Sequence, residues 1–295
     1  MNISLEIVPP LKGMSPDELL ESIAPLMEFG PRYINVTRHR EEFEFVRRGD
    51  KWEPVPYKPR MSQEEVCRTV LEKYDVRVVP HIICAGATVD EIHSELDTFK
   101  RMGISDAMAL RGDCIYGERR FTPVPGGYSY ASELVRGIRE YRGAEGRFFR
   151  IGVGGYPEKH FEAPNIETDI ANLKRKVDAG ADYVITQMFF DNSRYYDFVA
   201  RCRQAGITVP IIPGLKPLST ASQLRMLPET FSIDLPLELS EAVLRAGDDK
   251  QEVRRIGTQW CTQQCRDLLA HGVEAVHFYT MSRSGNIVEI LKDCL

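Results

Sequence analysis

A carboxylate, Glu6, interrupts an otherwise apolar strand-like run that ends at Pro9-Pro10. Burial disfavours the charged form of such a group, which raises its pKa and makes it a possible proton donor near neutral pH. A carboxylate in this place can also be structural, paired with an arginine or capping a loop. The residues alone leave both interpretations open.

Two more polar groups stand where apolar runs end. Asp113 closes Arg111-Gly112-Asp113, and a glycine between charged residues lets the backbone approach a ligand closely. An adhesion role for this tripeptide is rejected because it lies at a predicted strand end. Gln187 lies between apolar runs, where a neutral amide suits a heterocycle that both donates and accepts hydrogen bonds. A Gln bonded to the backbone at the rim is the structural alternative.

A polar cluster at helical spacing follows Tyr156 and consists of Asp169, Asn172, Arg175 and Lys176. Either basic side chain could bind phosphate near a helix start. A solvated helix face with an Asn172–Lys176 pair is the usual explanation of such a pattern.

Other polar residues have structural explanations of their own. Gln223 fits a capping box in Thr220-Ala221-Ser222-Gln223. His81 and His277 are strand histidines, which are more often satisfied core residues than ligands. Because the chain has no H-x-x-x-H or C-x-x-C pair, we predict no metal site. It also has no G-x-G-x-x-G motif and no P-loop, so loops would have to hold any nucleotide cofactor.

Apolar runs alternate with helical patterns along the whole chain. Capping signals such as Ser15-Pro16-Asp17-Glu18 open several of the helices. Alternation of this kind implies a parallel sheet, and eight units in under 300 residues favour a closed (β/α)8 TIM barrel of the α/β class. The predicted strands are 3–8, 33–37, 77–84, 107–110, 149–153, 183–189, 209–212 and 275–279.

We predict one domain, residues 1–295, with an insertion at 38–60 and extra helices at about 238–246 and 250–271 before the eighth strand. Active sites of such barrels lie at the carboxyl ends of the strands. The polar residues above are therefore expected to meet at one mouth.

Composition narrows the class of protein. The chain has 295 residues, 43% hydrophobic and 27% charged, with a net charge of −5, which argues against disorder, a membrane protein and a nucleic-acid surface. Seven scattered cysteines are typical of reduced thiols, and the start lacks the features of a signal peptide. We expect a cytoplasmic protein.

An ordered set of motifs resembles the methylenetetrahydrofolate reductase family. No single motif is decisive, but together they run from near the first residue to near the last: Leu5-Glu6-Ile7-Val8-Pro9-Pro10, Pro80-His81, Ala109-Leu110-Arg111-Gly112-Asp113, Tyr130-Ala131-Ser132, Tyr156-Pro157-Glu158-Lys159-His160, the segment 172–181, Ile185-Thr186-Gln187, Ile212-Pro213-Gly214 and His277-Phe278-Tyr279-Thr280.

The resemblance implies an FAD-containing (β/α)8 barrel and a two-step reaction. NADH or NADPH reduces FAD and leaves, and 5,10-methylenetetrahydrofolate takes its place. Protonation opens the folate to a 5-iminium cation, which receives hydride to give 5-methyltetrahydrofolate. The folate is thus the implied partner. We expect no nucleic-acid partner and no membrane, and we expect a homo-oligomer.

The resemblance also implies residue roles. Glu6 matches the proton donor and Asp113 the carboxylate beside flavin and pterin, where its charge would stabilise the cation. Substrate contacts match Gln187, Gln223 and Arg283. The FAD pattern maps onto Thr37, His81, Arg111, Gly112, Asp113, Tyr130, Ala131, Tyr156, His160, Asp169, Asn172, Arg175 and Lys176. For the helical cluster, it replaces the solvated-face interpretation.

The sequence departs from the family pattern in places. Leu5 and Ile7 replace the usual aromatic flanks of Glu6, and Leu227 stands where the family commonly has a stacking Phe. The chain ends soon after the eighth unit, so a regulatory domain that binds S-adenosylmethionine is not expected. Two alternatives remain: a cofactor-free lyase or aldolase with a Schiff base at Lys216, and a non-catalytic folate- or flavin-binding barrel.

Overall fold

The strands of this protein close into a parallel barrel. The computed structural model describes residues 1–38, 42–49, 51–57, 60–113, 121–141, 148–280 and 284–295. Around the barrel the strand order is β1-β10-β9-β8-β7-β6-β5-β2. These strands are β1 (Asn2–Ile7), β2 (Tyr33–Val36), β5 (Arg77–Ile83), β6 (Asp106–Leu110), β7 (Arg150–Gly155), β8 (Tyr183–Met188), β9 (Ile211–Leu215) and β10 (Ala275–Tyr279).

Helices follow the strands. They are α1 (Pro16–Met27), α2 (Gln63–Lys73), α3 (Val89–Arg101), α4 (Ala131–Glu140), α5 (Ile166–Asp178), α6 (Asn192–Gln204), α7 (Gln223–Phe231), α8 (Leu237–Ala246), α9 (Lys250–Ala270) and α10 (Gly285–Cys294). The predicted (β/α)8 barrel is confirmed, including the extra helices α8 and α9 before the last strand. None of the described helices is both long and apolar enough to cross a membrane.

Local sequence signals fix several helix starts. At α1, Ser15 Oγ accepts from Glu18 N at 3.2 Å and Ser15 N donates to the Glu18 carboxylate at 2.8 Å. Thr88 and Glu91 form the same reciprocal pair at α3. Each pair satisfies backbone N–H groups that a helix start leaves without an intrahelical partner. The capped starts predicted from these residues are therefore confirmed.

The predicted insertion contains a separate two-stranded sheet. Strands β3 (Glu42–Arg48) and β4 (Lys51–Tyr57) pair antiparallel within residues 38–60. Trp52, in β4, is 65% exposed. A two-stranded hairpin is only marginally stable by itself in water, so this ribbon adds little to the stability of the barrel.

Apolar residues pack on both sides of the barrel wall. A large cluster joins strand residues to the surrounding helices, and Leu5, Ile34, Leu96, Phe198 and Phe278 belong to it. A smaller cluster of strand residues, Val79, Met108, Tyr183 and Ile185, fills the barrel interior. Interiors of (β/α)8 barrels are filled in this way by layers of inward side chains. The packed interior leaves the carboxyl-end mouth as the place for polar chemistry.

Candidate active site

The mouth of the barrel brings Glu6 together with two histidines. Glu6 is the penultimate residue of β1, and its side chain is 15% exposed. Glu6 Oε2 lies 3.6 Å from His81 Nε2 and 4.0 Å from His277 Nε2. The sequence predicted these histidines as core residues, and both are indeed buried. Their position beside Glu6 gives them an electrostatic role as well.

Burial dominates the acid–base properties of this group. It raises the pKa of Glu6 to about 8, and the positive charge of Lys216 opposes part of that rise. Burial, together with the charge of His81, lowers the pKa of His277 to about 3. His277 is therefore neutral at physiological pH, and its Nδ1 lies 2.9 Å from Ser4 Oγ. The sequence-based expectation of a desolvated Glu6 agrees with this geometry.

Several residues around Glu6 were not singled out as site residues from the sequence. Tyr279 pairs in register with Glu6, and its hydroxyl donates to Thr186 O at 2.7 Å. Ser4 contacts His277, as described above. The sequence does contain a pattern that could have identified them. In two strands that prove to be neighbours, polar residues are spaced by two: Ser4 and Glu6 in β1, and His277 and Tyr279 in β10. Residues spaced by two in a strand share a face, so an inward polar layer could have been predicted.

The segment Arg111-Gly112-Asp113 follows β6 at the same mouth. Gly112 has φ +83°, and a Cβ built there would lie 2.8 Å from Ala85 Cβ. The glycine is thus required by backbone conformation and by close packing. Asp113 is exposed, and its charge raises the pKa of the nearby Tyr156 hydroxyl, although burial is the larger cause.

Arg111 is held by a carboxylate from the loop after β7. Its guanidinium forms a two-point ion pair with Glu162, with Nη2 at 3.1 Å from Oε1. The same guanidinium lies over the Phe121 ring, 5.0 Å from its centroid. A planar fork presented in this way is suited to a phosphate or carboxylate group.

A half-buried cation lies between β7 and α5. Lys176 Nζ donates to Gly154 O at 2.6 Å and lies 5.8 Å from the centroid of the Tyr156 ring. Burial lowers the pKa of Lys176 to about 8, and the charge of Asp169 partly offsets that fall. Asp169 is itself buried and accepts from His160 N at 3.1 Å.

The solvated-face interpretation of α5 is wrong for Lys176 and Asp169. Lys176 turns toward β7, so the expected pair with Asn172 is replaced by a bond from Arg175 Nη1 to Asn172 Oδ1 at 2.8 Å. The Lys176 ammonium group is instead satisfied by the Gly154 carbonyl and by the nearby face of the Tyr156 ring. Arg175 is exposed.

The remaining cofactor residues lie around the same mouth. Tyr130 is the N-cap of α4, is 62% exposed and makes no side-chain capping bond, and Ala131 is the first residue of that helix. Thr37 is buried after β2, where its N–H donates to Ile7 O at 3.0 Å. The first-turn N–H groups of a helix without a side-chain cap can receive an anion.

The predicted substrate contacts have different surroundings. Gln187 Oε1 accepts from Met188 N at 2.9 Å, beside a register shift between β8 and β9. Gln223 Oε1 accepts from Ser219 N at 2.7 Å and from Thr220 N at 3.1 Å. Both amide oxygens thus accept from backbone N–H groups, as the structural interpretations of Gln187 and Gln223 expected. Substrate contact by either side chain stays a prediction. Arg283 lies outside the described residues.

The side chain at the stacking position is withdrawn from the mouth. Leu227 is fully buried in α7 and belongs to a cluster with Phe190 and Leu218. Leu227 has no aromatic ring to stack on a ligand at the mouth. Its side chain instead fills space in this close-packed apolar cluster.

The two sides of the mouth fit different parts of a flavin dinucleotide. Arg111, Lys176 and the start of α4 supply positive charge and N–H donors, which suit a pyrophosphate. The dry carboxyl group of Glu6 lies on β1, separated from β6 by β2 and β5 around the barrel wall. Glu6 lies at the carboxyl end of β1, and Asp113 follows the carboxyl end of β6, so both belong to the same rim.

Known proteins similar to this chain agree with the motifs. The family model described as methylenetetrahydrofolate reductase matches residues 1–294. "Methylenetetrahydrofolate reductase (NADH) 1" of Arabidopsis thaliana is 32% identical over 98% of this chain and 47% of its own length. The "5,10-methylenetetrahydrofolate reductase" of Escherichia coli strain K12 is 31% identical over 96% of this chain and 87% of its own. A relative from Caenorhabditis elegans is named as a probable NADPH form, at 32% identity.

A solved structure supports the fold. An uncharacterised Clostridium thermocellum protein, described as binding two copies of 5-methyl-5,6,7,8-tetrahydrofolic acid, superposes with a TM-score of 0.65 at 13% identity, over 99% of this chain and 94% of that one. The chain spans about half the length of the plant relative. On the whole-chain match and these identities, this chain belongs to the methylenetetrahydrofolate reductase family.

Proposed function

We propose that this protein reduces 5,10-methylenetetrahydrofolate to 5-methyltetrahydrofolate, using NADH or NADPH through bound FAD. The observation that carries the proposal is Glu6, a carboxyl group buried at the barrel mouth with a pKa of about 8. A general acid works best when its pKa is near the operating pH. Family membership supplies the substrate class, and relatives named for NADH and for NADPH leave the choice of donor open.

Glu6 would hold the proton that opens the folate ring. At pH 7 its carboxyl group is mostly protonated, because burial raises its pKa. The neutral His277 cannot compete as the proton source, since its pKa is about 3. Gln187 would contact the pterin beside this acid, and Gln223 and Arg283 would make further contacts with the folate.

Asp113 would stabilise the cation formed on the folate. It follows the positive-φ Gly112, which fixes the direction of the chain at the rim. A fixed negative charge near a developing positive one lowers the barrier most where little water intervenes. Asp113 is exposed, so a bound ring itself would have to exclude that water.

The opposite side of the mouth would hold FAD. Arg111, Lys176 and Arg175 would meet phosphate or ribose, and Tyr130, Tyr156 and His160 would border the bound nucleotide. Thr37, His81, Gly112, Ala131, Asp169 and Asn172 complete the set assigned by the family pattern. When bound, FAD would carry two electrons from the nicotinamide to the folate.

The test separates the two halves of the reaction. Purified protein should be yellow, NADH or NADPH should bleach the flavin absorbance without oxygen, and methylenetetrahydrofolate should then restore it. Protein that takes up no FAD would contradict the proposal. Protein that binds flavin and folate but never exchanges electrons between them would instead be the non-catalytic barrel considered from the sequence.

The cofactor-free lyase is not favoured, because the family match extends over residues 1–294. Borohydride trapping of a carbonyl substrate on Lys216 is the result that would restore it. Cytoplasmic location and self-association also remain proposals. The described cysteines, among them Cys67, Cys84 and Cys202, are free thiols, as in proteins of reducing compartments. Light scattering over a range of protein concentrations would measure self-association.

A further inference from the structure

A buried lysine stands at the mouth of the barrel with no role in the function proposed above. Lys216 follows β9 directly and is only 8% exposed. Lysine is almost never fully buried unless it is paired. A buried ammonium group at a rim that also holds the Glu6 carboxyl group calls for a functional explanation.

Strand register places Lys216 in the layer of Glu6. His277 pairs with Gly214 and Phe278 with Leu215, so the next step along both strands sets Lys216 beside Tyr279. Tyr279 pairs with Glu6 on its other side. Residues that are partners on neighbouring strands point to the same face of the sheet. Glu6 and Lys216 therefore lie on either side of Tyr279.

Glu6 is faced by polar groups from each neighbouring strand. Asn35 of β2 is its partner in register, and His81 of β5 and His277 of β10 approach its carboxylate. Tyr279 of β10 and Lys216 after β9 complete the set. With His277 neutral and the tyrosine uncharged, Lys216 and His81 are the possible sources of positive charge among these groups.

We propose that Lys216 is a positioning residue for the proton donor: its ammonium group, held in the layer of Glu6, sets the acidity of Glu6 and with it the pH range of the folate step. The proposal rests on the proposed function for its link to folate. The pairing itself is a property of the protein without ligands.

The physical reason is a balance between two opposing effects. Burial favours the neutral carboxyl group, and without a nearby cation this effect would make Glu6 a very weak acid. A proton donor that is too weak transfers its proton slowly. The charge of Lys216 lowers the pKa of Glu6 part of the way back toward 7, but Glu6 stays mostly protonated at pH 7. The same charge also reaches the buried thiol of Cys261 in α9, whose pKa it lowers against the larger effect of burial.

The first experiment measures Glu6 in protein without ligands. Carbon-13 NMR of glutamate carboxyl groups would follow its titration, with Glu6→Gln identifying the signal. In Lys216→Met the midpoint should rise by about 1 pH unit, at the low end of the effect of a close opposite charge. Lys216→Arg should leave it nearly unchanged. Lys292→Met, which removes one exposed positive charge from the last turn of α10, is the matched control.

The second experiment follows flavin reoxidation by methylenetetrahydrofolate against pH. In Lys216→Met the pH at which the rate begins to fall should rise by the same 1 unit. The plateau rate at lower pH should decrease, because Glu6 would be a weaker acid. At pH values above the alkaline limbs of both proteins, more of Glu6 is protonated in Lys216→Met than in the wild type, and this difference offsets the slower proton transfer. A merely structural defect would lower the rate at every pH without moving the limb.

The outcomes distinguish the two proposals. An unmoved Glu6 midpoint in Lys216→Met overturns the inference, whatever the enzyme does. A midpoint that moves in protein that never transfers electrons to folate supports the pairing and contradicts the proposed function. If Lys216→Met fails to fold, Lys216→Gln takes its place. Should neither fold, a shifted midpoint in Lys216→Arg overturns the inference, and an unmoved one supports it.

Discussion

The two sides of the barrel mouth differ in the charge that they hold. On the acid side, formed by β1 and β10, Glu6 is kept neutral by burial next to a neutral histidine. On the cationic side, formed by β6, β7 and α5, Arg111 and Lys176 stay close to carboxylates that balance their charge. Under the proposed function, one side would hold a proton and the other would receive an anion.

The difference follows from the elements that carry each side. The residues of the acid side lie within barrel strands, where register fixes neighbouring side chains and water is excluded. The cationic side is built from loops and from a helix face, as with the pair of Arg111 and Glu162. An arriving phosphate can replace a loop carboxylate, but a strand residue has no such freedom. The proposed function would thus place proton chemistry on the rigid side and ligand binding on the adjustable one.

Glu6→Gln should give the largest effect because it removes the proton and little else. We expect flavin reoxidation by methylenetetrahydrofolate to slow by about 10²–10⁴-fold, the usual contribution of a general acid. Flavin reduction by NADH or NADPH should change by less than about threefold, since that step needs no proton from Glu6. Stopped-flow absorbance measures both. Equal loss in the two steps would show that the acid side also serves the nicotinamide.

The pH dependence of the wild-type protein sharpens the same contrast. Only protonated Glu6 can donate, so the folate step should fall as pH rises through about 8.

Lys176→Met should act on the cationic side alone. Loss of a charged hydrogen-bond donor costs about 1.5–3 kcal/mol, so FAD should bind roughly 10–100-fold more weakly. Lys174→Met is the matched control, because Lys174 lies two residues away and pairs with Asp178 on the surface. Fluorescence titration of apoprotein with FAD measures the affinity. Equal weakening in both variants would assign the effect to the net charge of α5.

The fold could be predicted because its signals are local and repeated. Capping residues such as Ser15 and Thr88 begin helices where expected, and the ends of the predicted strands differ from the observed ones by at most three residues. The ribbon of β3 and β4 was not predicted as strands. Its sequence has charges and prolines among its apolar residues, such as Pro54 and Pro56, and these obscure a period of two.

The site could be predicted only in part because its interactions cross strands. Glu6 is visible from the sequence as a charge in an apolar run, and its desolvation follows from that alone. The contribution of Lys216 depends on the register of β9 against β10 and of β10 against β1. Likewise, the inward turn of Lys176 depends on the Gly154 carbonyl, which a neighbouring strand supplies as its hydrogen-bond acceptor. Neither relation is encoded in the spacing of neighbouring residues.

The last expected effect concerns the stability of the folded protein, and its sign is opposite to that of the loss of activity. The pKa of Glu6 is raised from 4.5 to about 8 on folding. The folded state therefore binds its proton more tightly than the unfolded state, and stability is lost as pH rises from about 4.5 through about 8. Glutamine keeps the shape of the neutral carboxyl group without this loss. Glu6→Gln should thus be more stable than the wild type by up to about 4 kcal/mol at pH 8, and by less than about 0.5 kcal/mol at pH 4.5.

Urea unfolding of both proteins at several pH values measures this difference, and taking it at each pH cancels the titration of all other groups. Glu238→Gln, which neutralises an exposed carboxylate in the first turn of α8, is the control and should show no such trend. A Glu6→Gln variant that is less stable than the wild type at pH 8 would mean that ionised Glu6 is held by its positive neighbours. The acid side would then resemble the cationic side, and the division of labour across the mouth would be lost.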